Sequence, residues 1–441
     1  MLKKGFILFT ILLGLTITVT AQEQLKQYVQ QNTVEVKTVS PDSTDYSDLE
    51  AIGNAIGNAK IVMLGEQDHG DAPAFLAKTR LIKYLHEKKG FNVLAFESDF
   101  FGLNEGWRQL SKQKNSIDSF LNGNIFGIWS GCDACTSLLY NYIPNTFQTD
   151  RPLQVTGFDS QQILGYTNRK LTKALDSVIK ALELPLATLP EYKPGILYTI
   201  DTIAHSYNLP SDTISFNKRA HYLQLLKEQL LSKLPADNFW LMVVDNLIYS
   251  NIQYSKRNQY SVYMNARDGQ MARNLQWLSR VKYPNEKIIV WAHNFHVAKY
   301  SGHYPENFLN DVMSMGSVFT NDTALMKQTY ILGFTSYEGE AGRILMRKYT
   351  VEKPVSNSFE NWISKSYNYA FVDFSQYNNR YPAAQDAFYM KGSIKSPYHR
   401  NHKAVWSRIF DGVFFVRTMY PCKAVTFREA TSGNHAKPQS N

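Results

Sequence analysis

Glu66 and His69 stand three residues apart in the run K-I-V-M-L-G-E-Q-D-H-G at 60–70. A carboxylate beside an imidazole can hold it in one tautomer and raise its basicity. That suits the imidazole to take a proton from water near neutral pH. More acids and histidines follow apolar runs elsewhere. Glu97 follows F-N-V-L-A-F at 91–96, Asp159 follows L-Q-V-T-G-F at 153–158, and His293 and His296 follow K-I-I-V-W at 287–291. The sequence has no G-x-S-x-G nucleophile elbow, no H-E-x-x-H, no Walker A loop and no G-x-G-x-x-G after a strand. The H-x-x-H at 293–296, with Glu66 and His69, offers enough nitrogen and oxygen ligands to keep a metal-dependent reaction open.

Each of these groups needs an element to position it. Ile61–Leu64 is the right length and composition for a buried strand, and 91–96, 153–158 and 287–291 read the same way. Leu49, Ile52 and Ile56 put one apolar face on a helix over 46–59. Phe75, Leu76, Leu81, Ile82 and Leu85 do the same over 72–89, closed by Lys88, Lys89 and Gly90. Strand, helix and strand at this spacing form a βαβ unit, so the strands lie parallel in one sheet. Residues 165–280 contain no convincing strand and read as a helical insertion, with helices over 169–184, 217–234 and about 238–280. Further strands are expected at 329–334, 343–349, 369–374 and 411–417. The fold class is α/β, a mostly parallel sheet flanked by helices with a large helical insertion. In such a sheet the residues after each strand share one rim, where open α/β folds bind their ligands.

The 441 residues, 44% hydrophobic and 19% charged, can bury a sizeable core. Lys3 and Lys4, the apolar run 5–19 and the small residues of Val19-Thr20-Ala21 read as a cleaved export signal over 1–21. Removing it takes away two lysines and no acid, so the formal charge falls from +9 to +7. That surplus is scattered, with no basic stripe for nucleic acid. The expected product is an exported protein, periplasmic or secreted, without a stable membrane anchor. Residues 22–45 form a polar lead-in, 46–420 the α/β domain and 421–441 a polar tail. Cys132 and Cys135 form a C-D-A-C pair that leaves open a local disulfide or two buried thiols, and Cys422 stands alone. No second C-x-x-C completes a zinc site.

The ordered motifs resemble those of the erythromycin esterase family over roughly 45–420. They are L-G-E-Q-D-H-G, Arg80 eleven residues beyond His69, F-E-S-D at 96–99, G-F-D at 157–159, A-R-D-G-Q-M-A-R-N at 266–274, W-A-H-N-F-H-V-A at 291–298 and S-M-G-S at 314–317. Members are α/β proteins with a helical part, and characterised ones open the macrolactone ring of erythromycin by hydrolysis. By that resemblance His69 is the general base and Glu66 its partner. Arg80 is the helix arginine of the site, and His293 and His296 are its later histidines. Glu97 and Arg267 also fall on motif positions, where a structural ion pair is an equal reading. Arg80 has a structural reading too, as does His296 among Trp291, Phe295 and Val297.

The resulting expectation is an exported carboxylic ester hydrolase that needs no cofactor or metal and acts on a small-molecule ester or lactone. Its catalytic residues are His69, Glu66, His293 and Arg80, and its binding residues are His296, Glu97, Arg267 and Asp159. Arg80 and His293 steady the developing negative charge. The rival readings are a metal held by His293, His296 and Glu66 or His69, and a protein that binds a hydrophobic ligand without turning it over. The loop 121–145, with Trp129, is expected to shape the cleft.

Overall fold

Along each central strand, alternate side chains serve opposite faces, as the pleat requires. In a computed structural model, which describes residues 21–299, 311–394 and 397–427, Val62 and Leu64 join the apolar cluster on one side of the sheet. Ile61 and Met63 join the cluster on the other. Leu94 and Phe96 alternate in the same way with Val93 and Ala95, and Ile289 and Trp291 with Ile288 and Val290. Strands buried on both faces read as unbroken apolar runs rather than as alternation, which is why they are conspicuous in the sequence.

The strands in chain order are β1 (Val34–Val36), β2 (Ile61–Leu64), β3 (Phe91–Asp99), β4 (Gln154–Asp159), β5 (Lys287–Trp291), β6 (Thr329–Ala341), β7 (Tyr349–Thr350), β8 (Tyr369–Asp373), β9 (Phe388–Met390), β10 (His402–Ala404) and β11 (Gly412–Met419). Among the described residues, a nine-stranded sheet runs β1-β8-β11-β6-β2-β5-β3-β4, with β7 added beside β6, and β9 and β10 form a separate pair. The neighbours from β11 through β6, β2, β5 and β3 to β4 are all parallel. Only β8, between β1 and β11, and the short β7 run against them. The sheet is thus mostly parallel, as expected. β2 and β3 are parallel but not adjacent, because β5 pairs with both and lies between them. That insertion brings the histidines after β5 between the acids after β2 and those at the end of β3.

The helix Ala72–Lys89 returns the chain from β2 to β3. It has a proline in its first turn and ends on Gly90 in the left-handed region, φ 75°. Between β4 and β5 lie the helices Gly165–Ala181, Tyr198–His205, Thr213–Leu231, Phe239–Ser255 and Tyr260–Trp277, with no strand among them. They build an apolar cluster of their own around Leu175, Leu226 and Leu247. The single helix expected over 238–280 is two, broken at Lys256–Gln259.

Other expectations need correction. The lead-in is not merely polar. Ala21–Asn32 is a helix that buries Leu25 and Val29, and β1 pairs with the edge of β8. The strand expected over 343–349 is absent over 343–348, and only Tyr349 enters β7. β6 instead continues to Ala341, and Gly342 at φ 142° and Leu345 at φ 61° turn the chain before β7. The tail is held at its start. Cys422 forms a disulfide with Cys132 across 290 residues, and Cys135 is the buried free thiol. The chain around 421–425 lies beside the loop after Trp129, with Asp133 N–H donating to Lys423 O at 3.1 Å and Val425 N–H to Gly131 O at 2.9 Å. Cys135 lies in the single turn Asp133–Thr136, buried, while Cys132 just before it makes the bond to Cys422. Of the signal expected over 1–21, residues 1–20 lie outside the described residues, as does the end of the tail, 428–441.

Candidate active site

β2 ends at Leu64, and Gly65 must follow because the chain passes a side chain closely. A Cβ there would sit 2.0 Å from Asn294 Oδ1. Asn294 in turn fixes the crossing. Its amide donates to Phe334 O at 2.8 Å and Gly392 O at 2.7 Å, and its backbone N–H donates to Glu66 O at 2.8 Å. Glu66 therefore leaves the sheet in one defined direction, with its side chain fully buried.

Three groups meet the Glu66 carboxylate. Oε1 lies 2.9 Å from His69 Nδ1 and accepts the Trp129 indole N–H at 3.0 Å. Oε2 lies 2.5 Å from Lys78 Nζ, which also donates to Ala292 O at 3.3 Å and sits 4.0 Å over the Trp291 ring. Burial lowers the Lys78 ammonium from its ordinary range, and the Glu66 carboxylate opposes that shift. A carboxylate on Nδ1 makes Nδ1 the protonated nitrogen and leaves Nε2 with its lone pair. Nε2 has no partner among the described residues, and the ring keeps a small opening to solvent at 11% side-chain exposure. The Trp129 and His293 rings each stand edge-on to it at 5.2 Å.

His293 is oriented by backbone alone. Its Nδ1 accepts the Phe295 N–H at 3.0 Å, and its Nε2–H donates to Gln67 O at 2.8 Å. Burial, with His69 and His296 nearby, pushes its pKa well below the usual imidazole value, so the ring is neutral. With both nitrogens engaged, His293 is a wall for His69 rather than the oxyanion donor expected of it. The same bonds count against a metal there, which would have to take its nitrogen from one of them. Among the described residues, the one grouping of potential metal ligands is Cys132, Asp133 and Cys422, and its two thiols are joined in the disulfide.

A second, charged cluster lies behind His293. Arg267 grips Asp159 through Nε at 3.1 Å and Nη2 at 2.6 Å, and reaches Glu97 Oε1 at 2.9 Å. His296 bridges Asp268 Oδ1 at 2.7 Å and Glu97 Oε1 at 3.2 Å. Burial alone would lower the His296 pKa, but Asp268 and Glu97 outweigh it and raise it to about 10. In that charged state its 3.1 Å approach to Arg267 Nη1 brings together two donors that share the Glu97 carboxylate, and is not a hydrogen bond. Burial would raise the Glu97 carboxyl, yet His296 and Arg267 hold it well below the usual carboxylate range. Its second oxygen accepts the His293 backbone N–H at 3.0 Å. The cluster locks β3, β4, the helix Tyr260–Trp277 and the turn after β5 into one rigid rim.

The strand ends thus bring together Glu66, His69, Glu97, Asp159, His293, His296 and Arg267. Arg80 is not among them. Its guanidinium pairs with Asp48, at 2.6 Å and 3.0 Å, and donates to the backbone oxygens of Thr38 and Asp45, so it ties the lead-in to the helix. Lys78, two residues earlier, faces the sheet instead. Its sequence signal is a lysine on the apolar stripe Phe75–Lys78–Ile82, where a charge needs a buried partner. Asp68 and Asp71 were also missed. Asp71 accepts the Asp68 N–H at 2.8 Å and is held in turn by the buried His399, 3.1 Å away and itself 2.9 Å from Ser336 Oγ.

Comparison with known proteins gives a consistent placement. The family model for erythromycin esterase matches residues 86–419. YbfO of Bacillus subtilis, provisionally named a hydrolase, is 27% identical over 365 residues, 76% of this chain and 78% of that protein. The erythromycin esterase type II of Escherichia coli is 23% identical over 351 residues, 73% of this chain and 79% of that one. Among solved structures, a Bacillus cereus protein superposes with TM-score 0.70 at 18% identity, covering 92% of this chain and 99% of its own. A histidine-to-asparagine mutant of an erythromycin esterase in its open conformation gives 0.64 at 17% identity, with 88% and 98% covered. At such identities the structural likeness speaks for the fold.

Proposed function

From a chain that belongs to the erythromycin esterase family, we propose an exported, metal-independent carboxylic ester hydrolase that opens a macrolide lactone or a related ester. The relatives named as hydrolase and esterase support hydrolysis as the reaction class. The observation that carries the finer reading is the buried chain Lys78–Glu66–His69, ending in an imidazole whose Nε2 has no partner among the described residues and whose side chain is 11% exposed. His69 Nε2 takes a proton from water as its oxygen attacks the carbonyl carbon. Glu66 holds the tautomer and stabilises the imidazolium, and Lys78 balances the Glu66 charge that burial would otherwise disfavour. The proton then passes from Nε2 to the leaving alkoxide. Export rests on the Lys3–Ala21 pattern, and among the described residues no helix is long and apolar enough to cross a membrane. The test is incubation of the mature chain from Gln22 with a macrolide and with small carboxylic esters, followed by mass spectrometry. Gain of one water by the macrolide supports the full reading. Hydrolysis of small esters alone keeps the chemistry and removes the antibiotic. Turnover that disappears on chelation and returns with added metal overturns the metal-independent mechanism.

A further inference from the structure

We infer that Arg343 receives the negative charge that develops on the substrate carbonyl oxygen, donating from its Nη atoms beside His69. The inference rests on the ester-hydrolase reading above and adds the electrophilic half that His69 and Glu66 do not supply. Attack of water on an ester puts charge on that oxygen, and fixed donors there contribute much of the catalysis in acyl transfer.

The other cations of the region are committed. Arg80 is turned to Asp48, Lys78 is fully buried behind Glu66, and Arg267 is held by Asp159 and Glu97. His293 gives its one ring N–H to Gln67 O. Arg343 differs from all of these. Its Nε donates to Asp68 Oδ1 at 2.8 Å, and the same oxygen accepts the backbone N–H of His69 at 2.8 Å. Guanidinium and general base therefore hang from one atom. Asp68 cannot swing, because its other oxygen accepts the Tyr349 hydroxyl at 2.7 Å.

Besides the Asp68 bond, the Arg343 guanidinium has a side-chain hydrogen bond with Tyr398, and its side chain is 30% exposed, so of its five N–H donors some still face solvent. The guanidinium lies 5.7 Å from the centre of the Tyr398 ring, and that ring stands 4.7 Å from His293. Arg343, Tyr398, His293 and His69 so form a continuous arc, with a partly exposed guanidinium at one end and the acceptor nitrogen of His69 at the other. The chain reaches this place by backbone contact. Gly70 allows Gly342 to pack against it, since a Cβ on Gly70 would meet Gly342 O at 2.1 Å.

In the reaction, water loses a proton to His69 Nε2 and its oxygen bonds to the carbonyl carbon. The π pair moves onto the carbonyl oxygen, where Arg343 Nη–H groups donate to it. Re-forming the carbonyl expels the alkoxide, which takes the proton from Nε2.

The experiment uses the full mature chain with Arg343→Ala and His69→Ala, and two readouts. The first is steady-state hydrolysis of the best ester, with and without added guanidinium. The second is calorimetric binding of the matching alkyl phosphonate monoanion, a tetrahedral mimic of the charged intermediate. We expect Arg343→Ala to lower kcat by about 100-fold or more with KM within about threefold, and guanidinium to restore part of it. Phosphonate affinity should fall by at least about tenfold in Arg343→Ala and persist in His69→Ala. Unchanged phosphonate affinity in a folded Arg343→Ala overturns the inference, as does near-parental kcat of Arg343→Ala on a substrate that His69→Ala cannot turn over. If His69→Ala hydrolyses at the parental rate, the base assignment fails instead, and phosphonate binding still decides the role of Arg343.

Discussion

Lys78 Nζ and Glu66 Oε2 lie 2.5 Å apart, and neither side chain meets solvent. The carboxylate thus meets a cation at one oxygen and His69 at the other. That places it to stabilise the imidazolium that forms when His69 accepts a proton from water.

Removing the lysine leaves Glu66 unbalanced. Lys78→Met is expected to cost about 3–5 kcal/mol of stability, the usual consequence of stranding one member of a buried pair. It should also lower kcat, because the carboxylate that orients His69 loses the ammonium that fixes its second oxygen. Lys78→Arg should retain much of both if the guanidinium fits. Denaturant unfolding together with kcat on folded protein checks the two effects separately.

Arg80→Met tests the opposite assignment. Its ion pair with Asp48 is almost fully buried, so stability should fall by about 3–5 kcal/mol. Turnover per folded molecule should stay within about twofold. A loss of kcat in fully folded protein would return Arg80 to the reaction.

These two residues also mark what could be read from the sequence. The strands with their acids and histidines are visible because doubly buried strands are continuous apolar runs and their ends share one rim. Lys78 and Arg80 differ only in which side of one helix they occupy, and periodicity in an all-round buried helix does not rank its faces. The Cys132–Cys422 pairing joins segments 290 residues apart, and no local pattern reports such a contact. Gly342 and Leu345 turn the chain within an apolar stretch that otherwise reads as a strand over 343–349, and the position of β5 between β2 and β3 is set by the whole sheet. The placement of Arg343 depends on that same turn, which no local pattern reports.

The His296 cluster predicts a pH dependence of stability. Its folded pKa of about 10 lies above the ordinary imidazole value of 6.5. The charged ring therefore adds stability that is fully present below about pH 6.5 and is lost as pH rises through about 10. The parent should lose unfolding free energy between pH 7 and 10 more steeply than His296→Gln. Equal slopes in urea titrations across that range would contradict the charged assignment.

Reduction of the disulfide should loosen two loops at once. The segment 420–425 bonds both to Gly70 and Ala72 and to Gly131 and Asp133, so it links the His69 loop to the one that carries Trp129. Loss of a native disulfide closing so long a loop costs about 2–5 kcal/mol. Thermal unfolding with and without a dithiol reductant should show a matching fall. Cys132→Ser/Cys422→Ser should be insensitive to the reductant and melt near the reduced parent.

The central claim is that His69 Nε2 activates the attacking water. The most direct measurement is the initial rate of ester hydrolysis by His69→Ala beside the parent, at equal concentrations of folded protein verified by circular dichroism. Loss of a general base should lower kcat by about 10²–10⁴-fold, with KM little changed. A folded His69→Ala that turns over within about threefold of the parent would contradict the account.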